Sequence, residues 1–141
     1  MRSLLDAPLP RRARKGDNGY DFFLPHKLVI GHGEVVDVDT GIVMEDGDIP
    51  DGYCMWLLPR SSLGTKYGLR LLNSVGNIDS GYRGSIRATL EATRVPPGFT
   101  LELEAGERFI QGTILPFFTI KGEIPPEEER GTGGYGSTGR M

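Results

Sequence analysis

IRATLEATRVPPGFTLELE, Ile86 to Glu104, is the stretch that decides the fold. Ile86, Ala88, Leu90 and Ala92 alternate with Arg87, Thr89, Glu91 and Thr93. Phe99, Leu101 and Leu103 alternate with Thr100, Glu102 and Glu104. Successive strand side chains face opposite ways, so each run has one buried and one wet face. Pro96-Pro97-Gly98 forces a turn between them. Outward from this pair, further strands are expected at Leu28–Ile30, Glu34–Val38, Tyr53–Leu58, Leu69–Asn73 and Phe109–Pro116. A short helical turn fits Ser61 to Lys66, with a serine at its start as N-cap. The basic cluster Arg11 to Lys15 reads as a solvated strand or lead-in, ahead of the turn-like GDNG. Nothing else reads as helix, and there is no internal repeat. Many short strands at this spacing imply an all-β sandwich or barrel, and oligomer formation is one way to cover its edges.

Composition agrees. At 141 residues the chain is most simply one domain. Its 38% hydrophobic and 25% charged residues are those of a soluble globular protein. With 21 glycines and 10 prolines it has little room for long helices. A net charge of −3 argues against a general nucleic-acid binder, yet a few arginines still suffice for a small anionic ligand. The single cysteine, Cys54, excludes an internal disulfide and sits in the apolar run YCMWLL as an inert core residue. His26 and His32 are isolated and suit surface loops. No apolar run approaches membrane-spanning length and no secretory leader is visible, so a reducing, cytoplasmic setting is expected. From Lys121 onward GEIPPEEER loses periodicity. The expected organisation is a β domain over residues 1–120, with a linker and glycine-rich arm over residues 121–141.

That arm ends in RGTGGYGSTG, Arg130 to Gly139, which holds no core side chain. Its glycines let backbone N–H groups approach an anion. Arg130 offers a planar fork for phosphate oxygens, Ser137 and Thr138 offer hydroxyls, and Tyr135 offers a face for a base. The mix suggests an arm that orders over a nucleotide; a disordered glycine-rich tail is the plainer alternative. Gly131, Gly133 and Gly136 match GxGxxG, but that pattern needs a helix after it, and only five residues follow. No Walker A sequence is present.

Four more clusters offer chemistry. NGYD (Asn18 to Asp21) delivers one carboxylate from a turn. PRSSL (Pro59 to Leu63) offers a guanidinium, two hydroxyls and a possible helix start. NSVGNIDSGYRG (Asn73 to Gly84) reads as a glycine-flanked hairpin holding Asp79 and Tyr82. GERFIQ (Gly106 to Gln111) starts a strand with Arg108 and Gln111. Singly they are weak: Asp79 fits a turn aspartate, Tyr82 a strand aromatic, Arg108 a surface arginine.

Together, and in this order, the five clusters closely resemble the five motifs of the trimeric dUTPase family, over nearly the whole chain from about Leu9 to Met141. The third and fifth are the most specific. The family also has LP-x-R-A ahead of its first motif, which fits Leu9 to Ala13. The resemblance implies a distorted jelly-roll β-barrel and a homotrimer. Each active site would draw on three chains, with a swapped C-terminal arm closing over a neighbour's site. It implies hydrolysis of dUTP to dUMP and pyrophosphate with Mg²⁺, by water attack on the α-phosphorus.

Carried over residue by residue, Asp79 would orient and deprotonate the water. Asp21 would hold Mg²⁺ through its water shell, which suits an ion that dehydrates reluctantly. Arg60, Ser61, Ser62 and Gln111 would grip the phosphates. Arg130 would meet the γ-phosphate, with Gly136, Ser137 and Thr138 adding hydrogen bonds. The third-motif backbone around Ile78, with Asn73, would read the uracil edge. Tyr82 would pack under deoxyribose and Tyr135 over uracil. Arg108 would brace the fold or neighbouring carboxylates. Ser62 stands where the family usually has glycine, Tyr135 replaces phenylalanine, and FFLP after Asp21 is bulkier than the family pattern. The stretch between the fourth motif and the arm is short, which limits the arm's reach. The competing enzyme is a dCTP deaminase of the same superfamily, for which Glu91 falls too late in the chain. A dUTPase-like regulatory protein with its own partner is the competing binding role.

Overall fold

The computed structural model describes residues 1–127. In chain order these form β1 (Arg2–Ser3), β2 (Gly19–Phe23), β3 (Leu28–Gly31), β4 (Val35–Val43), β5 (Tyr53–Pro59), α1 (Ser61–Tyr67), β6 (Leu69–Leu71), β7 (Gly76–Asp79), β8 (Ser85–Ala92), β9 (Thr100–Leu103) and β10 (Arg108–Pro116). One four-stranded sheet has the order β1-β4-β8-β6, a second has the order β2-β10-β5-β7, and β3 pairs with β9. Every strand pairing is antiparallel. This is the all-β architecture expected from the period-two runs, and it is consistent with the jelly-roll that the family resemblance implies: strands far apart in sequence pair, and the core lies between the sheets. Phe22, Ile30, Val38, Ile86, Leu90, Phe109 and Ile110 are fully buried. Among the described residues no helix is long and apolar enough to cross a membrane.

β8 keeps the forecast alternation, with Ile86, Ala88, Leu90 and Ala92 inward. The next strand in the chain, β9, does so only from Thr100. Phe99 is 67% exposed, because the proline turn extends through it: the Phe99 N–H donates to the Pro96 carbonyl at 3.1 Å. The strand expected over Glu34–Val38 runs on to Val43 through an irregularity between Asp39 and Val43. Thr40 is fully buried there, its hydroxyl donating to the Ile86 carbonyl at 2.6 Å and accepting from the Ile42 N–H at 3.1 Å. Both hydroxyl roles are satisfied, as burial requires.

Several local expectations are corrected. Arg11 to Lys15 is not a strand: Arg11 makes one isolated bridge to Asp21, and the chain then bends into a turn. The N-cap of α1 is Arg60, with φ −68° and ψ 130° and no side-chain cap. β5 stays laddered to β10 through Pro59, so the serine falls one residue inside the helix. The helix ends at Gly68, with φ 65°; a β-carbon there would meet Thr93 Oγ1 and Arg94, so glycine serves both conformation and space. Finally, the third cluster is not a laddered hairpin. β6 pairs with β8 and β7 with β5, so the chain crosses between sheets through a turn at Asn73 and Ser74, the latter at φ 69°. NGYD is mostly strand, because Gly19–Thr113 and Asp21–Gln111 are in register.

Candidate active site

The second sheet gathers the first, second and fourth clusters at one end. Gln111 on β10 lies between Asp21 on β2 and Leu58 on β5 in register. Arg60 and Ser61 follow directly where β5 gives way to α1. These segments enclose a cavity of about 360 Å³ whose lining includes Asp21, Arg60, Ser61, Arg108 and Gln111. The Gln111 side chain is set by contact. Its Nε2 donates to the Pro59 carbonyl at 3.2 Å, and its amide lies across Gly19, where a β-carbon would fall 2.2 Å from Oε1. Arg108 Nη1 donates to Asp21 Oδ2 at 3.3 Å, so Arg108 braces a carboxylate as expected. Ser62 is exposed on the next helical position and is not part of the lining.

The cavity has a wall that the strand reading of the basic cluster missed. Ala13, Gly16, Asp17 and Asn18 line it. Their turn is closed by the Asp17 N–H on the Arg14 carbonyl at 3.1 Å and by Asp17 Oδ2 accepting the Arg14 N–H at 3.0 Å. Arg12 donates to the Lys15 and Asp17 carbonyls and lies 5.9 Å from the Tyr20 ring centroid. The only sequence signal for this wall was GDNG just ahead of the first cluster. The lining thus combines two guanidiniums, a hydroxyl, two carboxamides and two carboxylates. A polyphosphate meets cations and donors there, and the carboxylates suit a hydrated divalent ion. Among the described residues no group of three or more His, Cys, Asp or Glu side chains can cage a metal directly. Asp17 and Asp21 are the lining carboxylates that a hydrated cation would face.

The third cluster lies elsewhere. Asp79 pairs with Cys54, which pairs with Leu115. Gln111 is four residues back along β10, and Asp79 is two strands across. At strand dimensions the two are about 16 Å apart. They occupy the same face of the sheet, with Thr113, Trp56 and Asn77 in register between them. Trp56 is 40% exposed in the middle of that face. The Ile78 side chain is buried in the core, which leaves only its main chain for recognition. Tyr82 is buried, its hydroxyl donating to the Ser85 carbonyl at 2.9 Å, and its ring covers Gly84. Asn73 is exposed in the turn before β7. One chain therefore brings Asp21, Arg60, Ser61, Arg108 and Gln111 together and holds Asp79 apart from them. Arg130, Tyr135, Gly136, Ser137 and Thr138 lie outside the described residues.

The dUTPase family model matches residues 6–139. The deoxyuridine 5'-triphosphate nucleotidohydrolase of Cutibacterium acnes is 40% identical over 136 residues, covering 93% of this chain and 85% of the relative. The crystal structure of dUTPase from Streptococcus mutans superposes with a TM-score of 0.69 at 34% identity, over 86% of this chain and 98% of that one. A point mutant of the dUTPase from phage phi11 of S. aureus superposes with a TM-score of 0.71 at 25% identity, over 87% of this chain and 91% of that one; it shows the coordination of a structural Mg(II) ion.

Proposed function

This chain belongs to the dUTPase family, and we propose that it hydrolyses dUTP to dUMP and pyrophosphate at a site shared between copies of the chain. The observation that carries the reading is the cavity of Asp21, Arg60, Ser61, Arg108 and Gln111, with Asp79 about 16 Å away on the same face. One nucleotide needs its scissile phosphorus beside both sets, and a single chain keeps them apart. A second copy that lays its Asp79 against this cavity resolves the conflict, and closed threefold assembly gives every cavity the same partner. The chain leaving β10 supports such an arrangement: Phe118, Ile120 and Ile124 are each more than four-fifths exposed, a surface that gains by packing on a neighbour. On this reading residues 1–120 form the body, and residues 121–141 form a linker and an arm that closes over an adjacent site.

Each group has a defined task. Arg60, Ser61 and Gln111 hold the phosphate chain in line. Asp21 would hold Mg²⁺ through its water shell, and the ion would supply charge that offsets repulsion between the phosphates and the carboxylates. Asp79 takes the proton of the attacking water, and the α-phosphorus–oxygen bond to pyrophosphate breaks. Arg130, Ser137 and Thr138 of the arm add donors as charge moves to the leaving group. The main chain around Ile78, with Asn73, reads the uracil edge, while Tyr82 bounds the sugar and Tyr135 covers the base. A cytosine amino group in place of the uracil carbonyl leaves buried polar groups mismatched.

The deaminase alternative finds no support in the placement of Glu91. It lies on β8 in the other sheet, paired with Arg70 at 3.2 Å. Incubation with dUTP or dCTP in the presence of Mg²⁺ separates the readings. Pyrophosphate released from dUTP, with no ammonia from dCTP, is the expected result. Ammonia from dCTP, or no pyrophosphate from dUTP, overturns the proposal.

A further inference from the structure

We propose that Arg83 is a positioning residue for Asp79, and that Asp46 aims it. The inference rests on the reading of Asp79 as the group that activates water. Asp79 ends β7, and the chain turns at once, with the Tyr82 N–H donating to the Asp79 carbonyl at 3.1 Å. Ser80 and Gly81 carry this turn, and neither has a side chain long enough to anchor it in the core. Arg83 supplies the anchor. Its Nη1 donates to the Ser80 carbonyl at 2.7 Å and to the Tyr82 carbonyl at 3.1 Å. Its Nε and Nη2 both donate to Asp46 Oδ1, at 3.1 and 2.7 Å.

Asp46 belongs to a turn 37 residues earlier in the chain. That turn is closed by the Asp48 N–H on the Glu45 carbonyl at 3.1 Å and by Asp48 Oδ2 accepting the Glu45 N–H at 2.7 Å. One planar guanidinium thus fastens two turns: carbonyls of the third motif on one edge, a carboxylate on the other. A lysine cannot copy this, because an ammonium is a point charge without a fixed fork. The Asp46 side chain is 99% exposed, so the pair adds little to stability. Its effect is on direction, since a carboxylate displaced by about 1 Å from its attack position loses rate by up to about a hundredfold. The Tyr82 ring has its own anchors in Ser85 and Gly84, and the phosphate cavity is built by other segments. Loosening Arg83 therefore lowers kcat and leaves substrate binding largely as it was.

The test compares Arg83→Met, Arg83→Lys, Asp46→Asn and Asp79→Asn with the parent in steady-state hydrolysis of dUTP with Mg²⁺, alongside thermal melts. Arg83→Met is expected to lower kcat about tenfold or more, with KM within about twofold and Tm near the parent's. Arg83→Lys recovers only part of the loss, and Asp46→Asn loses several-fold in kcat alone. If Arg83→Met does not fold, the kcat of Asp46→Asn decides. Parent-like kcat in Arg83→Met, or in Asp46→Asn where that decides, overturns the inference, as does a loss that follows the unfolded fraction. Asp79→Asn keeps the two levels apart. Its inactivity beside a fully active Arg83→Met refutes only the positioning role, whereas a fully active Asp79→Asn removes the underlying assignment.

Discussion

Replacing Gly19 by alanine tests how the fold aims a phosphate-binding side chain. A β-carbon at residue 19 would lie 2.2 Å from Gln111 Oε1 and 3.3 Å from its Cδ. The carboxamide is the far end of a flexible side chain, so it swings away and the backbone stays. The move breaks the 3.2 Å bond from Gln111 Nε2 to the Pro59 carbonyl, a loss of about 0.5–1.5 kcal/mol. Alanine in a strand recovers about 0.5–1 kcal/mol relative to glycine. The two nearly cancel, so Tm should stay within roughly 3 °C of the parent's. Activity should not be spared, because Gln111 no longer faces the cavity. Loss of one hydrogen bond to a charged phosphate is worth about 1.5–3 kcal/mol, or roughly ten- to a hundredfold in kcat/KM. Steady-state hydrolysis of dUTP and a thermal melt on the same preparation are the assay. Unchanged kcat/KM, or a fall in activity matched by a large fall in Tm, would refute the reasoning.

Other perturbations probe the core and the charge network. A β-carbon on Gly112 would meet Met55 Sδ at 2.7 Å and Phe22 Cε1 at 3.0 Å, so Gly112→Ala overpacks the core. It should cost about 1–2 kcal/mol, seen as a Tm lower by roughly 3–8 °C; an unchanged melt contradicts the packing. Burial pushes the Asp39 carboxyl up, but hydrogen bonds from Ser85 and the Gly41 N–H, with the Arg87 charge, outweigh it and hold its pKa below the usual carboxylate range. A carboxyl lowered in the folded state stabilises above its unfolded pKa and loses that contribution as pH falls through the folded one. Melts below about pH 4 should therefore decline less steeply in Asp39→Asn than in the parent, and parallel curves would count against the network.

Period two in the sequence reached the strands with long runs, β5, β8 and β10, because their inward positions are uniformly apolar. It did not reach β2 and β7, which are glycine-led and occupied by residues that read as chemistry. Phe99 followed the alternation yet is exposed, since the proline turn captures it before the ladder begins. The cavity's second wall was hidden because its residues matter through a turn closed by Asp17, not through periodicity. Motif order pointed to Asp21, Arg60, Ser61 and Gln111, and the register of β2, β10 and β5 brings them together. The span between Gln111 and Asp79 became visible only from strand order, which no local pattern carries. The Arg83–Asp46 link joins turns from separate parts of the chain and was equally invisible.

The shared site is tested most directly by mixing inactive subunits. Asp79→Asn lacks the carboxylate but keeps the cavity, whereas Arg60→Ala keeps Asp79 and spoils the cavity. Refolded separately, each should show almost no dUTP hydrolysis. Refolded together in equal amounts, trimers in which each cavity receives Asp79 from a neighbour should regain about one working site in four. With mixed assemblies verified by mass spectrometry, a mixture as inactive as its parents would contradict a site built from more than one chain.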